Sequence, residues 1–239
     1  NIPPHAPEAR GELLLNYARQ ILSLSSRCMA EVRGQSLSGQ LNVGLPNDFA
    51  ISFFPRVLSR FVDVHPGVSM EVSSDLSRRL LQAFGQRGFD MMLSLVGQEA
   101  EVEPARRWSE PVSWVSGPGG LARGAGPLRL VLYPDGCYYR SRALTRLSEA
   151  GVDHRVVYSG SSLSGIQAAV ESGLGLTVLS RNTVPTALRP LAPTPENGLP
   201  DLGEVTVGLF RPKAHRNASA RELCDFMEQA LDERYGPGA

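Results

Sequence analysis

Serine residues gather in one short stretch of the sequence, Gly160-Ser161-Ser162-Leu163-Ser164-Gly165. A serine nucleophile on a strand-to-helix elbow requires the pattern G-x-S-x-G, and here Ser164 stands where the second glycine would be. The simpler interpretation is a serine-capped helix, in which Ser161 or Ser162 accepts a hydrogen bond from a first-turn N–H group. The stretch therefore predicts a helix start, and a serine hydrolase that uses Ser162 remains an alternative.

The three cysteines Cys28, Cys137 and Cys224 lie far apart and form no C-x-x-C pair. Their spacing argues against a disulfide framework or a zinc site and suits a reducing compartment. Cys137 follows Asp135-Gly136 at a predicted strand-to-helix junction, where a helix N-terminus would lower the thiol pKa. No resolving cysteine lies nearby in the sequence, so a small, partly buried residue is the favoured interpretation.

The sequence indicates neither a metal site nor a phosphate-binding loop. The histidines stand in four separate segments without a partner at ligand spacing: His5, His65, His154 and His215. The run Gly117-Pro118-Gly119-Gly120 lacks the third spaced glycine of a dinucleotide loop, and Pro118 removes a donor. We therefore expect no metal ion and no cofactor.

Predicted strands and helices alternate in two parts of the chain. The first part has strands at 41–45, 68–72 and 90–96 and helices at 52–62 and 77–84. The second has strands at 128–133, 155–159 and 176–179 and helices at 138–150 and 163–172, before a strand at 204–211 and a helix at 219–235. This alternation predicts an α/β fold with parallel strands.

Four predicted strand ends combine small or hydroxyl-bearing residues with a helix start: Pro46-Asn47-Asp48-Phe49, Ser73–Ser77, Gly136–Tyr139 and Ser159–Ser162. Ligands of open α/β sheets bind at such ends, where free N–H groups and the helix dipole favour an anion or a polar group. Helix capping is the simpler role for each residue, and it does not exclude binding. Two units that face each other predict a small-molecule cleft.

Residues 12–33 are predicted to form one long helix. Its apolar residues recur at intervals of three and four: Leu14, Tyr17, Ile21, Leu24 and Cys28. A helix with so wide an apolar face must bury it against a partner. The stripe therefore predicts a dimerisation helix.

Composition and charge exclude several classes of protein. The 239 residues include 24 Lys and Arg against 24 Asp and Glu, so the formal net charge is zero. A chain that binds nucleic acid by itself normally has a surplus of basic residues, and this chain has none. The hydrophobic fraction of 42% is that of a globular protein, and no stretch has the length of a membrane span. The chain starts at Asn1 without a secretory signal, so we expect a cytoplasmic fragment of a longer protein, cut on its N-terminal side.

Five segments, in this order and spacing, resemble the C-terminal part of LysR-type transcriptional regulators, from the linker helix through the effector-binding domain. The segments are 10–22 (RGELLLNYARQIL), 39–45 (GQLNVGL), 55–67 (PRVLSRFVDVHPG), 77–90 (SRRL, then GFD) and 168–180 (AAVESGLGLTVLS, with Ser180 where proline is common). The third is similar to P-x-x-L-x-x-F-x-x-x-H-P-G of the family and is the most specific. The resemblance covers essentially the whole chain.

The resemblance implies a fold like type-2 periplasmic binding proteins, with two Rossmann-like subdomains joined by two crossover strands near 110–115 and 204–209 and preceded by the long N-terminal helix. The implied division is a linker and dimerisation helix at 1–34, subdomain I at 39–112 and 206–239, and subdomain II at 113–205. It also implies a winged helix-turn-helix domain before residue 1.

The family resemblance implies effector contacts at Asn47, Asp48, Ser77, Cys137, Tyr138, Ser161 and Ser162. We expect Pro46, Phe49, Ser74 and Val96 to contribute to the same effector site. Asp48 departs from the hydroxyl residue common in its loop. Its carboxylate would repel an anionic effector, which leaves room for a neutral or amine-bearing one. Cys137 alone does not match the paired cysteines of peroxide-sensing members, so that function is not carried over.

The expected function is the effector-sensing and dimerising region of a bacterial LysR-type regulator, as a homodimer or homotetramer and without enzymatic activity. Its partners would be a small-molecule effector and DNA, the latter only through the missing domain, with no membrane. A free-standing solute-binding protein is the main alternative. The missing export signal and the dimer-type helix count against it.

Overall fold

The computed structural model describes residues 37–52, 54–97, 102–120, 126–212 and 217–238, together with Gly11, Leu14, Tyr17, Ile21, Ser25 and Cys28. The strands are β1 (Ser38–Pro46), β2 (Gly67–Asp75), β3 (Met91–Val96), β4 (Arg106–Ser116), β5 (Leu128–Leu132), β6 (His154–Ser159), β7 (Thr177–Ser180), β8 (Arg189–Leu191) and β9 (Glu204–Phe210). The helices are α1 (Asn47–Ile51), α2 (Phe54–Val64), α3 (Ser77–Ala83), α4 (Tyr138–Glu149), α5 (Leu163–Glu171) and α6 (Ala218–Tyr235), and Arg181–Thr183 is a 3-10 turn.

Seven strands form one continuous sheet. Its order is β2-β1-β3-β9-β4-β7, and β8 also pairs with β4. Strands β1, β2 and β3 are parallel, whereas β9 runs antiparallel to β3 and to β4. Strands β5 and β6 form a separate parallel pair, which the bridge from Leu130 to Leu176 joins to the start of β7. We call β1 to β3 with α1 to α3 the β1 side, and β5 to β7 with α4 and α5 the β5 side.

Strand β4 connects the two sides because its two halves have different partners. Residues 106–111 pair with β9, and residues 112–116 pair with β7 or β8. Trp114, in the second half, is fully buried, and its Nε1–H donates to the carbonyl of Pro200 at 2.8 Å. The long β4 and β9 are the crossover strands expected near 110–115 and 204–209.

The motif at 55–67 forms helix α2 and the turn after it. The apolar residues of α2 are buried on one face, as their spacing predicts: Phe54, Val57, Leu58 and Phe61. The ring centroids of Phe61 and His65 lie 4.7 Å apart, and the carbonyl of His65 accepts the N–H of Val68 at 2.9 Å. His65 is therefore a buried turn residue that joins α2 to β2.

The elements expected from the sequence are present, with small shifts in their ends. Helix α1, the 3-10 turn and β8 were not expected. Arg189–Leu191 pairs with β4 in a stretch for which the sequence predicts neither a strand nor a helix. These elements have three to five residues, too few for a hydrophobic period to be visible in the sequence.

The long N-terminal helix is not confirmed. Gly11, Leu14, Tyr17, Ile21, Ser25 and Cys28 are each helical and exposed, and Leu24 lies outside the described residues. Leu14, Tyr17 and Ile21 are 72%, 57% and 67% exposed. Of the helices in the described ranges, none is long and apolar enough to cross a membrane.

Candidate ligand site between the strand ends

The carboxyl end of β1 meets the start of α5 from the β5 side. Asn47, the first residue of α1, donates its Nδ2–H to the carbonyl of Ser161 at 3.0 Å. Next to β3, a Cβ atom on Gly97 would lie 3.3 Å from Cε2 of Tyr138, so that ring rests against the glycine backbone. The structure thus brings together predicted site residues from both sides.

Asp48 is buried between the two sides, with 3% of its surface exposed. Its Oδ2 accepts hydrogen bonds from the hydroxyl of Tyr139 at 2.7 Å and from that of Thr183 at 3.1 Å. Desolvation by burial raises the pKa of the carboxyl, and the two hydroxyl donors oppose that shift. The repulsion of an anionic effector expected from the sequence requires a carboxylate that faces the ligand, whereas this one faces the protein.

Several other predicted residues hold the strand ends in place. The Ser77 hydroxyl accepts the N–H of Leu95 at 3.0 Å, and its carbonyl accepts the Ser94 hydroxyl at 3.2 Å, which fixes α3 against β3. Phe49 and Val96 are buried in the apolar core. Pro46 pairs with Asp75 at the end of β1, and Ser74 is exposed at the end of β2.

Ser162 is the N-cap of α5, as the simpler interpretation of the serine-rich stretch predicts. Its Oγ accepts the N–H of Gly165 at 3.1 Å and the hydroxyl of Ser164 at 3.3 Å. The only histidine on the β5 side in the described ranges, His154, directs its Nδ1 to the carbonyl of Val152 at 2.8 Å. Among the described residues, no general base is hydrogen-bonded to the Ser162 hydroxyl. This arrangement does not support a serine hydrolase that uses Ser162.

Cys137 lies at the N-terminus of α4 and is buried. Desolvation raises its thiol pKa to about 12, although the backbone N–H groups of Tyr139 and Arg140 favour the thiolate. Burial therefore outweighs the helix N-terminus that made this cysteine a candidate thiolate in the sequence. The arrangement is that of an inert structural thiol.

We predict that one of the three cysteines reacts rapidly with a thiol reagent in the native chain. Cys28 is exposed, whereas Cys137 and Cys224 are buried and burial raises the pKa of both thiols to about 12. Ellman's reagent at neutral pH should titrate a single thiol, and Cys28→Ser should abolish that fast phase. A fast phase that survives in Cys28→Ser and disappears in Cys137→Ser would contradict the buried assignment.

A cavity of about 930 Å³ lies away from these strand ends. Its walls are formed by the amino ends of β5 and β6 and by the loops that follow β4 and α5. The lining residues include Gly117, Leu128, Asp153 and Gly173. It holds none of the predicted effector residues. The described residues also contain no group of three His, Cys, Asp or Glu side chains placed to bind a metal ion.

Sequence reasoning missed Tyr139 and Thr183 as partners of Asp48, and Arg78 and Tyr133 as polar residues at the same strand ends. Tyr139 lies one residue beyond the predicted Tyr138, and Arg78 follows the predicted Ser77, so both stand inside quoted motifs. Thr183 follows a strand by three residues and gives no signal. Its bond to Asp48 spans 135 residues, a distance at which local patterns carry no information.

We predict that Asp48→Asn makes stability less sensitive to pH. Because burial raises the pKa of Asp48 above its usual 3.8, the folded chain keeps a proton that the unfolded chain has lost. Its stabilising contribution is therefore complete below the unfolded pKa and is lost as pH rises above it. Urea unfolding should show Asp48→Asn gaining stability relative to wild type as the pH rises from about 4 to about 7.

The exposed Asp153→Asn is the matched control for removal of a carboxylate. Its stability relative to wild type should change much less over the same range. A constant difference between Asp48→Asn and wild type would contradict the raised pKa.

The model of the LysR substrate binding domain family matches residues 34–232. The chain belongs to this LysR family. The LysR domain is 35% identical over 179 residues to the HTH-type transcriptional regulator DgdR of Burkholderia cepacia, an alignment that covers 74% of this chain and 60% of DgdR. It is 30% identical to PecT of Dickeya dadantii over 91% of this chain and 68% of PecT. The chain thus spans about two thirds or less of these relatives' length.

Solved LysR regulatory domains share the fold. The Synechocystis CcmR regulatory domain, solved in complex with 2-PG, superposes with a TM-score of 0.66 at 16% identity and covers 81% of this chain and 97% of that one. The expected family and the fold class of type-2 periplasmic binding proteins are confirmed. The division into subdomains and the site residues remain predictions.

Proposed function

We propose that this LysR domain is the effector-sensing and dimerising region of a cytoplasmic transcriptional regulator, and that it has no enzymatic activity. A small molecule would bind between subdomain I (39–112 and 206–239) and subdomain II (113–205). DNA would be bound by a winged helix-turn-helix domain outside these 239 residues. DgdR and PecT are named as HTH-type regulators, which supports this assignment.

The observation that carries the proposal is the direct contact between predicted effector residues of the two sides. The bond from Asn47 to Ser161 and the packing of Tyr138 on Gly97 bring the two sides into contact at the strand ends. A ligand that entered here would separate or replace these contacts. Its binding energy would thus act on the relative position of the two sides, which is the requirement for a population shift.

A metabolite screen tests the cleft. Carboxylic acids, amines and neutral metabolites are added to the 239-residue chain, and the melting temperature is measured. Compounds that raise it should lose their effect in Ser161→Trp and keep it in Ser148→Trp, whose exposed serine lies at the far end of α4. Compounds that act equally on wild type and Ser161→Trp would overturn the cleft assignment.

We further propose that the apolar stripe of Leu14, Tyr17, Ile21, Leu24 and Cys28 pairs with its copy in a second subunit. The high exposure of Leu14, Tyr17 and Ile21 supports this proposal because a monomer rarely leaves such a stripe in water. Sedimentation should show a dimer or tetramer that Ile21→Asp dissociates. Ile51→Asp changes an exposed isoleucine outside the stripe and should leave the assembly intact. A monomeric wild-type chain would refute the pairing.

A further inference from the structure

The 3-10 turn Arg181–Thr183 continues directly from β7 of the β5 side, yet its middle residue is bonded to elements outside that side. The backbone N–H and the side-chain N–H of Asn182 donate to the two carboxylate oxygens of Glu110, at 2.7 Å and 2.6 Å. The carbonyl of Asn182 accepts Nη2–H of Arg234 at 2.9 Å. Glu110 lies in the half of β4 that pairs with β9, and α6, which carries Arg234, packs against β1 and β3. The turn is therefore fastened to the part of the sheet that carries the β1 side.

Glu110 occupies the place where regular pairing between β4 and β7 ends. The last pair of that ladder is Val112 with Ser180. The same register two residues further would place Asn182 opposite Glu110. Instead the backbone of Glu110 pairs with Val205 of β9, and its carboxylate accepts the N–H of Asn182. The side chain thus continues the connection across the point where β4 changes partner.

The 3-10 turn is also bonded to α1. The hydroxyl of Thr183 donates to Oδ2 of Asp48 at 3.1 Å, and Tyr139 of α4 donates to the same oxygen at 2.7 Å. Asp48, Thr183 and Glu110 are each almost fully buried. Buried hydrogen bonds to a carboxyl group are costly to break because each polar group loses its partner away from water. Several such bonds between the two sides lie around this one turn.

The contacts at the strand ends are weaker. The bond from Asn47 to the carbonyl of Ser161 joins uncharged groups and is exposed to water. The ring of Tyr138 adds a van der Waals contact with Gly97. Water can replace an exposed hydrogen bond at little cost. A movement that separates the strand ends and keeps the bonds of the 3-10 turn is therefore less costly than one that breaks both sets of contacts.

We propose that the two sides separate about the 3-10 turn, which acts as a pivot, and that the Glu110–Asn182 pair stays intact while the strand ends open. This inference rests on the proposed function, because it describes how the cleft opens for an effector. Glu110 and Asn182 are then positioning residues that keep the two sides aligned during the movement.

Two buried cysteines report on different movements. Cys137 lies at the start of α4, and a Cβ atom on the preceding Gly136 would lie 3.9 Å from Cδ of Arg78 on the β1 side. Cys224 lies in α6 and is fully buried, with its Sγ 3.8 Å from the carbonyl oxygen of Asp90. Opening of the strand ends therefore exposes Cys137, whereas exposure of Cys224 requires α6 to leave the sheet.

The test is native-state labelling of the 239-residue chain that carries Cys28→Ser, which removes the exposed thiol. Excess N-ethylmaleimide modifies each buried thiol only when it is exposed, and peptide mass spectrometry separates the two rates. Cys137 should react about a hundredfold faster than Cys224, because local opening costs less free energy than global unfolding. Equal rates would overturn the pivot, since both thiols would then require the same unfolding.

Two variants distinguish a bond that persists on opening from one that breaks. Glu110→Gln should speed the labelling of Cys224 about tenfold and leave that of Cys137 within about twofold, because the lost bonds stabilise the closed and the opened chain alike. Asn47→Ala should speed both thiols by the same factor of about three, because its bond is lost in opening and in unfolding. If Glu110→Gln speeds Cys137 as much as Cys224, the pair breaks on opening and the pivot is overturned.

Glu204→Gln is the matched control for Glu110→Gln. It changes an exposed carboxylate at the start of β9 and should leave both labelling rates unchanged; an effect as large as that of Glu110→Gln would overturn the role of the Glu110–Asn182 pair. The labelling uses no ligand, so failure of the proposed function is seen separately. Metabolite hits that Ser161→Trp does not affect would overturn the cleft alone, and equal rates for Cys137 and Cys224 would overturn the pivot alone.

Discussion

Glu110→Ala should lower the free energy of unfolding by about 3 kcal/mol, because two charge-assisted hydrogen bonds are lost in the interior. Glu110 is fully buried in β4, where the pairing of that strand changes from β9 to β7. Its carboxylate accepts the backbone N–H of Asn182 at 2.7 Å and the side-chain N–H of the same residue at 2.6 Å. Alanine would leave both donors of Asn182 without their acceptor.

The effect should extend to the candidate site. Asn182 is the middle residue of the 3-10 turn, and the next residue, Thr183, donates to Asp48. Loss of Glu110 therefore loosens a segment that helps to hold the two sides together. Backbone hydrogen exchange of residues 181–183 should accelerate in Glu110→Ala.

Glu204→Ala is the matched control for Glu110→Ala. Glu204 begins β9, is exposed and is bonded to the hydroxyl of Ser109. Its removal should cost about 0–1 kcal/mol, as for other exposed polar pairs. Denaturant unfolding that gives equal losses for the two variants would refute the structural role assigned to Glu110.

Gly175→Ala should destabilise the chain by about 3 kcal/mol through steric overlap. A Cβ atom at this position would lie 2.5 Å from the carbonyl oxygen and 2.7 Å from the carbonyl carbon of Arg129. Both atoms belong to the backbone of β5, which cannot move aside as a side chain can. The close approach is needed because Leu176, the next residue, bridges to Leu130 and so joins β5 to the start of β7.

Two other glycines calibrate this prediction. Gly173→Ala meets no atom within 4 Å but has a φ of +75°, which should cost about 1 kcal/mol. Gly119→Ala has open space and no positive φ, and it should be nearly neutral. Melting temperatures should therefore fall in the order Gly119→Ala, Gly173→Ala, Gly175→Ala. A Gly175→Ala variant as stable as Gly119→Ala would contradict the close approach.

These glycines show which features of the structure the sequence alone cannot explain. The motif at 168–180 (AAVESGLGLTVLS) contains two glycines, Gly173 and Gly175, and the sequence pattern gives no reason for either. The structure supplies two different reasons, which are backbone conformation at Gly173 and the contact with Arg129 at Gly175. The second reason depends on a strand that lies more than 40 residues earlier in the chain.

Asp48 shows the same limit at the candidate site. Its place at a strand end could be predicted because the period of apolar residues changes there. The direction of its carboxylate could not be, because its hydroxyl donors lie 91 and 135 residues away. The sequence therefore suggested a carboxylate that faces the ligand, whereas in the folded chain this carboxyl group faces Tyr139 and Thr183.

The sequence by itself determined the alternation of strands and helices, the family and the strand ends where a ligand site is expected. Each of these follows from local periodicity or from short motifs, which neighbouring residues fix. Only the tertiary structure decided which polar groups are satisfied and which are left without a partner. Asp48 and Glu110 find their donors through chain topology, whereas the Tyr133 hydroxyl finds no acceptor among the described residues. Hydrogen-bond satisfaction depends on residues that meet only after the chain has folded.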